Sequence, residues 1–222
     1  IVGMVLFLIP FVQGDLLLDE LSTKDYSWGD NIKISGTLIT NNGSFSGLLK
    51  INMVCNQVPN QIFVKSIKTD TDLNFDHTAP VTGLTGDCNL QVKAESSNGV
   101  EEVSSEKFIV TNEIDGTFQI SSEEVQLGEN VTLSAALFKS STQHTEGFAI
   151  ITISKDNETY LLDTANFKEE SLIYSFIVQS LPAGVYTVGL EVTDIYGNHK
   201  NFGEIKTFKV FDSLKLTVFF DN

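Results

Sequence analysis

The chain has 222 residues, 41% of them hydrophobic and 16 of them phenylalanine, enough apolar material to fill the cores of two ordinary domains. Its formal net charge is -15 and its sequence pI about 4.4, so the averaged field repels phosphate backbones and anionic lipid headgroups, and nucleic acid is excluded as an expected partner. Only 19% of the residues are charged, and Val, Ile, Thr and Phe recur in short runs, which separates the chain from acidic disordered segments.

Residues 1–14, IVGMVLFLIPFVQG, form an uncharged apolar run too short to span a bilayer, with Val12 and Gly14 where a signal peptidase wants small side chains. The run reads as the tail of a secretory signal whose basic beginning is missing, cleaved near Gly14; the alternative is a truncated membrane anchor. Either reading exports the remainder of the chain, to an extracellular or cell-surface location.

From Asp15 onward, apolar alternation is interrupted by turn signals about every ten residues, the spacing of sandwich strands rather than of βαβ units. Strands are expected at Leu16 to Leu21, Asn31 to Ile39, Leu48 to Cys55, Gln61 to Ile67, Asp72 to Phe75, Asn89 to Glu95 and Glu106 to Thr111. No long stretch carries a helical period. The clearest strand lies in the second half, within LPAGVYTVGLEVTDIYGN from Leu181 to Asn198. There Tyr186, Val188, Leu190 and Val192 share one face, while Val185, Thr187, Gly189, Glu191 and Thr193 share the other. So regular a half-buried strand needs a second sheet to cover it, which predicts a sandwich.

The second half repeats the first. Trp28-Gly29-Asp30-Asn31-Ile32-Lys33-Ile34-Ser35 aligns with Leu127-Gly128-Glu129-Asn130-Val131-Thr132-Leu133-Ser134, ninety-nine positions later. Gly47 matches Gly147, Gly86 matches Gly184, and Phe108-Ile109-Val110 matches Phe208-Lys209-Val210. The repeating unit has the size of one immunoglobulin-like sandwich. The expected fold is therefore all-β: two tandem immunoglobulin-like β-sandwich domains, 15–111 and 112–212, after the short apolar N-terminal segment. SLKLTVFFDN, 213–222, reads as the first strand of a third repeat, with the chain expected to continue beyond Asn222.

GVYTVGLEVTDIYGN resembles the penultimate strand of bacterial and archaeal surface immunoglobulin-like domains, including the PKD group, and LGENVTLSA resembles their second strand. The first half keeps a looser version, GDCNLQVKAESSNG, so the resemblance covers about Leu16 to Asp212. The aromatic and acidic turn signature of PKD domains is missing after strand two, and the LxPxxxY spacing of fibronectin type III is one residue short. The resemblance implies tandem immunoglobulin-like modules on a prokaryotic, for preference archaeal, cell surface. It identifies a superfold rather than an activity.

Cys55 closes the third strand and Cys88 opens the sixth; in a sandwich these strands are antiparallel neighbours, so an exported chain is expected to join them. Closing that loop would stabilise the fold by about 3 to 4 kcal/mol in the chain-entropy picture. Two buried free thiols are the alternative. The matching positions of the second unit, about Lys155 and Tyr186, cannot form such a bridge. Tyr186 is either a corner tyrosine bonding back to the backbone or an ordinary core aromatic.

Sequons stand at Asn42, Asn130 and Asn157, the first and last in turns. Asp70, Asp72, Asn74 and Asp76 alternate like the start of a Ca²⁺ loop, but Phe75 and Val81 occupy the places of its glycine and bidentate glutamate. The competing reading is a strand whose wet face they form, with Leu73 and Phe75 turned to the core. Asp194, with Asn198, is a second metal candidate or turn chemistry. No cofactor is expected, with Ca²⁺ the one candidate ion. His77, His144 and His199 are scattered, and HExxH, GxSxG and phosphate-loop motifs are absent from the sequence, so the chain is not expected to be an enzyme. The expected role is a non-catalytic structural or adhesive module whose partners are other cell-surface or extracellular proteins or glycans. The alternative is an accessory module of a larger secreted enzyme or carbohydrate-binding protein. Trp28, the one tryptophan, matches Leu127; both are expected to cap a core, so Trp28 is not expected to display a sugar-binding face.

Overall fold

The computed structural model describes residues 15–40, 43–141 and 144–211. The expected signal remnant, the start of a third repeat and Asn42 lie outside the described residues. Two compact units meet in sequence between Thr111 and Asn112.

In the first unit the strands are β1 (Asp15–Leu18), β2 (Asp25–Ser27), β3 (Asn31–Ile39), β4 (Phe45–Cys55), β5 (Val58–Thr69), β6 (Leu73–Pro80), β7 (Gly86–Ser96), β8 (Gly99–Ser104) and β9 (Phe108–Thr111). One sheet has the order β1-β3-β6, the other β2-β9-β7-β4-β5 with β8 also beside β7. The second unit contains β10 (Ile114–Ile120), β11 (Glu124–Gln126), β12 (Asn130–Lys139), β13 (Gly147–Lys155), β14 (Glu158–Phe167), β15 (Ser171–Ile177), β16 (Gly184–Asp194) and β17 (His199–Phe211). Its sheets run β10-β12-β15 and β11-β17-β16-β13-β14, so each unit is the same immunoglobulin-like sandwich. Among the described residues, all strand pairings are antiparallel except β2 with β9 and β11 with β17.

Alternation builds each core. Ile32 and Ile34 of β3, Leu49, Ile51 and Met53 of β4, and Leu90 and Val92 of β7 are buried between the sheets of the first unit. Val131 and Leu133, Ile151 and Ile153, and Val188, Leu190 and Val192 do the same in the second. Each such side chain stabilises its unit by roughly 1.5–3 kcal/mol on burial, and together they outweigh the polar pairs at the rim.

The repeated sequence anchors have physical causes. Gly29 and Gly128 take positive φ values of 88° and 94° before β3 and β12, a conformation costly for other residues. The acid that follows closes each turn: Asp30 Oδ2 accepts the Ser27 N–H at 2.6 Å and Glu129 Oε2 accepts the Gln126 N–H at 2.7 Å. Gly47, the third residue of β4, and Gly147, the first of β13, lie against β7 and β16, where an added Cβ would collide with the carbonyl oxygen of Glu95 or Thr193.

Several elements differ from expectation. The three-residue strands β2 and β11 are too short to show alternation, yet each pairs parallel with the last strand of its unit. The expected strand Asp72 to Phe75 instead runs Leu73–Pro80. The expected strand from Glu106 starts at Phe108, after β8, which the charged stretch Glu101-Glu102 had hidden. Ser105 makes that break: its N–H donates to the Leu90 carbonyl and its hydroxyl accepts the Leu90 N–H. The second unit crosses the same region as one strand, β17, with register shifts against β16. Leu127 is 40% exposed and does not cap the core as expected. Trp28 is half-buried, its indole N–H donating to the Leu84 carbonyl at 2.9 Å.

Candidate functional site

Strands β4 and β7 are adjacent, and their register sets Cys55 opposite Cys88. Both side chains are buried and joined as a disulfide. In the second unit Ser154 faces Thr187, so Lys155 and Tyr186 hold the corresponding rung. Lys155 Nζ lies 5.8 Å from the centre of the Tyr186 ring and donates to the Ala183 carbonyl at 3.0 Å. A cation over an aromatic face, worth about 0.5–1 kcal/mol when exposed, thus stands where the first unit has a covalent bond.

Tyr186 is fully buried, and its hydroxyl donates to the Pro182 carbonyl at 2.7 Å. The ring stacks on Phe208 at 5.6 Å and meets Tyr160 edge-on at 5.4 Å. This is the corner tyrosine of an immunoglobulin-like domain, anchoring β16 to the bend before it. Burial, followed by the neighbouring Tyr160 and Asp156, holds its phenol pKa above the ordinary value.

Asp194 is buried at the other end of β16. Oδ1 accepts the backbone N–H groups of Tyr196 and Asn198 at 2.9 and 2.8 Å; Oδ2 accepts the Thr145 hydroxyl at 2.9 Å and the Asn198 amide at 2.7 Å. Four donors converge on one carboxylate, and the result is a closed turn with Thr145 tied to it.

The aspartates of the calcium-like run do not converge. Asp72 Oδ1 accepts the Thr40 N–H at 2.8 Å, Asp76 pairs with Lys33 at 3.1 Å, and Asp70 is exposed in the turn before β6. Leu73 and Phe75 turn inward and pack on the core while Asn74 and Asp76 face solvent. Among the described residues, no group of three or more His, Cys, Asp or Glu is placed to hold a metal ion. The histidines stay apart: His77 lies on Phe63, His144 pairs with Glu170 and His199 with Glu191.

Asn157 is exposed in the β13–β14 hairpin, where Asp156 and Asn157 take φ values of 53° and 65°, a tight turn whose twist matches the flanking strands. Asn130 is exposed at the first position of β12. A cleft of about 360 Å³ in the first unit is lined by Leu38, Phe45, Ser96, Asn98 and Val100 among others, with one aromatic ring and no histidine.

The sequence reading missed the structural use of acids, Asp30 and Glu129 at the turns and Asp72 on Thr40. The signal available was the recurrence of an acid at one place in both repeats, just after the aligned glycines.

No family model matches the sequence, and no curated protein matches it. Among solved structures, the chain is similar to Escherichia coli alpha-2-macroglobulin activated by porcine elastase, at 10% identity and a TM-score of 0.39, over 91% of this chain and 22% of that one. It is also similar to the tetra-tandem repeat in the extending region of a large adhesion protein, at 18% identity and a TM-score of 0.34, over 89% of this chain and 48% of that one. The chain therefore spans less than half the length of either.

Proposed function

We propose that the chain is a non-catalytic structural or adhesive module of an extracellular, cell-surface protein. One observation carries this reading: the side chains with the greatest chemical potential are engaged in architecture. Cys55 and Cys88 bridge adjacent strands, the Tyr186 hydroxyl fastens a corner, and Asp194 and Asp72 hold backbone donors. The disulfide favours an oxidising compartment, and the acidic composition favours solubility outside the cell. Its partners are then other surface or extracellular proteins or glycans, together with the rest of its own chain.

The test is surface labelling of intact host cells combined with intact mass before and after reduction. Labelled protein that gains two hydrogens on reduction supports the proposal; unlabelled protein with free thiols overturns it. A reading frame that runs past Asn222 into a catalytic domain would make these units accessory modules of an enzyme.

A further inference from the structure

The two units treat one sheet edge differently. In the first unit that edge is β6. Val81, just after it, donates to the Asp30 carbonyl and accepts from the Gly29 N–H. By the alternation of an antiparallel ladder, Asn74, Asp76, Thr78 and Pro80 therefore turn their backbone groups away from β3. Asp76 puts a charge on this edge, and Pro80 offers no N–H; both discourage the addition of another strand.

In the second unit the edge is β15. Val178 makes the same two bonds, to Glu129 and Gly128, so Ser171, Ile173, Ser175 and Ile177 direct their backbone groups outward. The registers against β3 and β12 match Asp76 with Ile173 and Pro80 with Ile177. Both devices of the first unit are thus replaced by isoleucine. β15, SLIYSFI, contains no charge, proline or glycine, and Ile173 and Ile177 are 69% and 54% exposed. Their neighbours across β12, Ser134 and Asn130, are uncharged as well. Ser171 is closed off by a bridge to Lys168 and the Ile177 carbonyl accepts the Gln179 N–H at 2.9 Å, which leaves Ile173 and Ser175 presenting N–H and C=O at the edge and Ile177 its N–H.

We propose that β15 pairs antiparallel with β15 of a second copy of this chain, about a two-fold axis at Ser175, joining two three-stranded sheets into one. The strand's own register selects this occupant. Outward residues must face outward residues, and about Ser175 this sets Ile173 opposite the second copy's Ile177, and Tyr174 opposite its Phe176, so apolar side chains meet on both faces. An axis at Tyr174 would set Ile173 against serine, and an axis at Ile173 would leave Ile177 unmatched. Two chains of net charge -15 repel, so their contact needs a surface free of charge, and this strand supplies one. The inference is independent of the adhesive role.

The experiment is sedimentation of the full chain across a concentration series, with a variant that restores the residues of the first unit, Ile173→Asp with Ile177→Pro. The wild type is expected to form a dimer, and the double variant to weaken it at least about tenfold while circular dichroism keeps the β signature. Ser175→Cys is expected to give a covalent dimer on oxidation, because directly opposed Cα atoms about 5.5 Å apart lie within disulfide reach; Ser171→Cys is not. A wild type that stays monomeric to about 1 mM overturns the proposal. So does association unchanged in the double variant, which would place the contact elsewhere. If the double variant loses its fold, the cysteine pair decides alone: cross-linking at Ser171 and not at Ser175 overturns the register.

Discussion

Reduction of the Cys55–Cys88 disulfide is expected to destabilise the first unit alone. The bridge closes a loop with a sequence separation of 33, for which the chain-entropy relation gives about 3.7 kcal/mol. With a urea m-value of about 1.5 kcal/mol/M for a unit of this size, the midpoint should fall by about 2.5 M. Trp28 makes the measurement selective: it is the one tryptophan, it lies in the first unit, and its indole N–H is bonded to the Leu84 carbonyl. Its fluorescence therefore follows one sandwich, while amide exchange at Val188, Leu190 and Val192 follows the core of the other. Cys55→Ala with Cys88→Ala should reproduce the effect of reductant. A Trp28 midpoint that moves by less than about 0.5 M would refute the entropic reasoning, as would slowed or hastened exchange in β16 on the same scale.

Other outcomes rest on the corners and close approaches. Tyr186→Phe removes a buried hydroxyl from the Pro182 carbonyl and should cost the second unit about 1–2 kcal/mol, read by chemical denaturation. Asp194→Ala leaves four donors without their acceptor and should cost about 2–4 kcal/mol, with faster amide exchange at Tyr196 and Asn198. Gly147→Ala drives a Cβ into the Thr193 carbonyl and should cost about 1–3 kcal/mol in a thermal melt. The Tyr174 phenol is pushed up to about 12 by burial and then by its bond to Asp163 at 2.7 Å; that bond also lowers the Asp163 pKa. Because the folded phenol holds its proton longer than the unfolded one, this contribution is complete below the ordinary value of 10.0 and is lost as pH rises through about 12. Asp163 acts at the opposite limit, its contribution being lost as pH falls below the ordinary carboxylate range. Tyrosine NMR should find Tyr174 titrating late, and earlier in Asp163→Asn, though not fully restored because burial is the larger cause.

The strands with long alternation, β3, β4, β7, β12 and β16, could be read from the chain because their burial is periodic over nine or more residues. β2 and β11 could not, since three residues carry no period and their pairing is decided by a strand some eighty positions away. β8 escaped for a different reason: it is an edge strand whose alternate positions are glutamate and valine half in solvent, so polarity masked its pairing. The cysteine rung was legible because residues at the end of one strand and the start of its antiparallel neighbour must meet. Its counterpart was legible only as a position, since nothing in Lys155 or Tyr186 announces that an ammonium will settle over a ring.

The same rung is fastened in one sandwich by sulfur and in the other by an ammonium over a phenol. The first latch shuts only where an electron acceptor is at hand, whereas the second shuts as soon as its strands come together. A newly made chain is thus expected to mature in two steps, its C-terminal half reaching full protease resistance on folding while the N-terminal half still awaits the increment that oxidation adds. The two units share one architecture, yet each keeps its own dependence on surroundings.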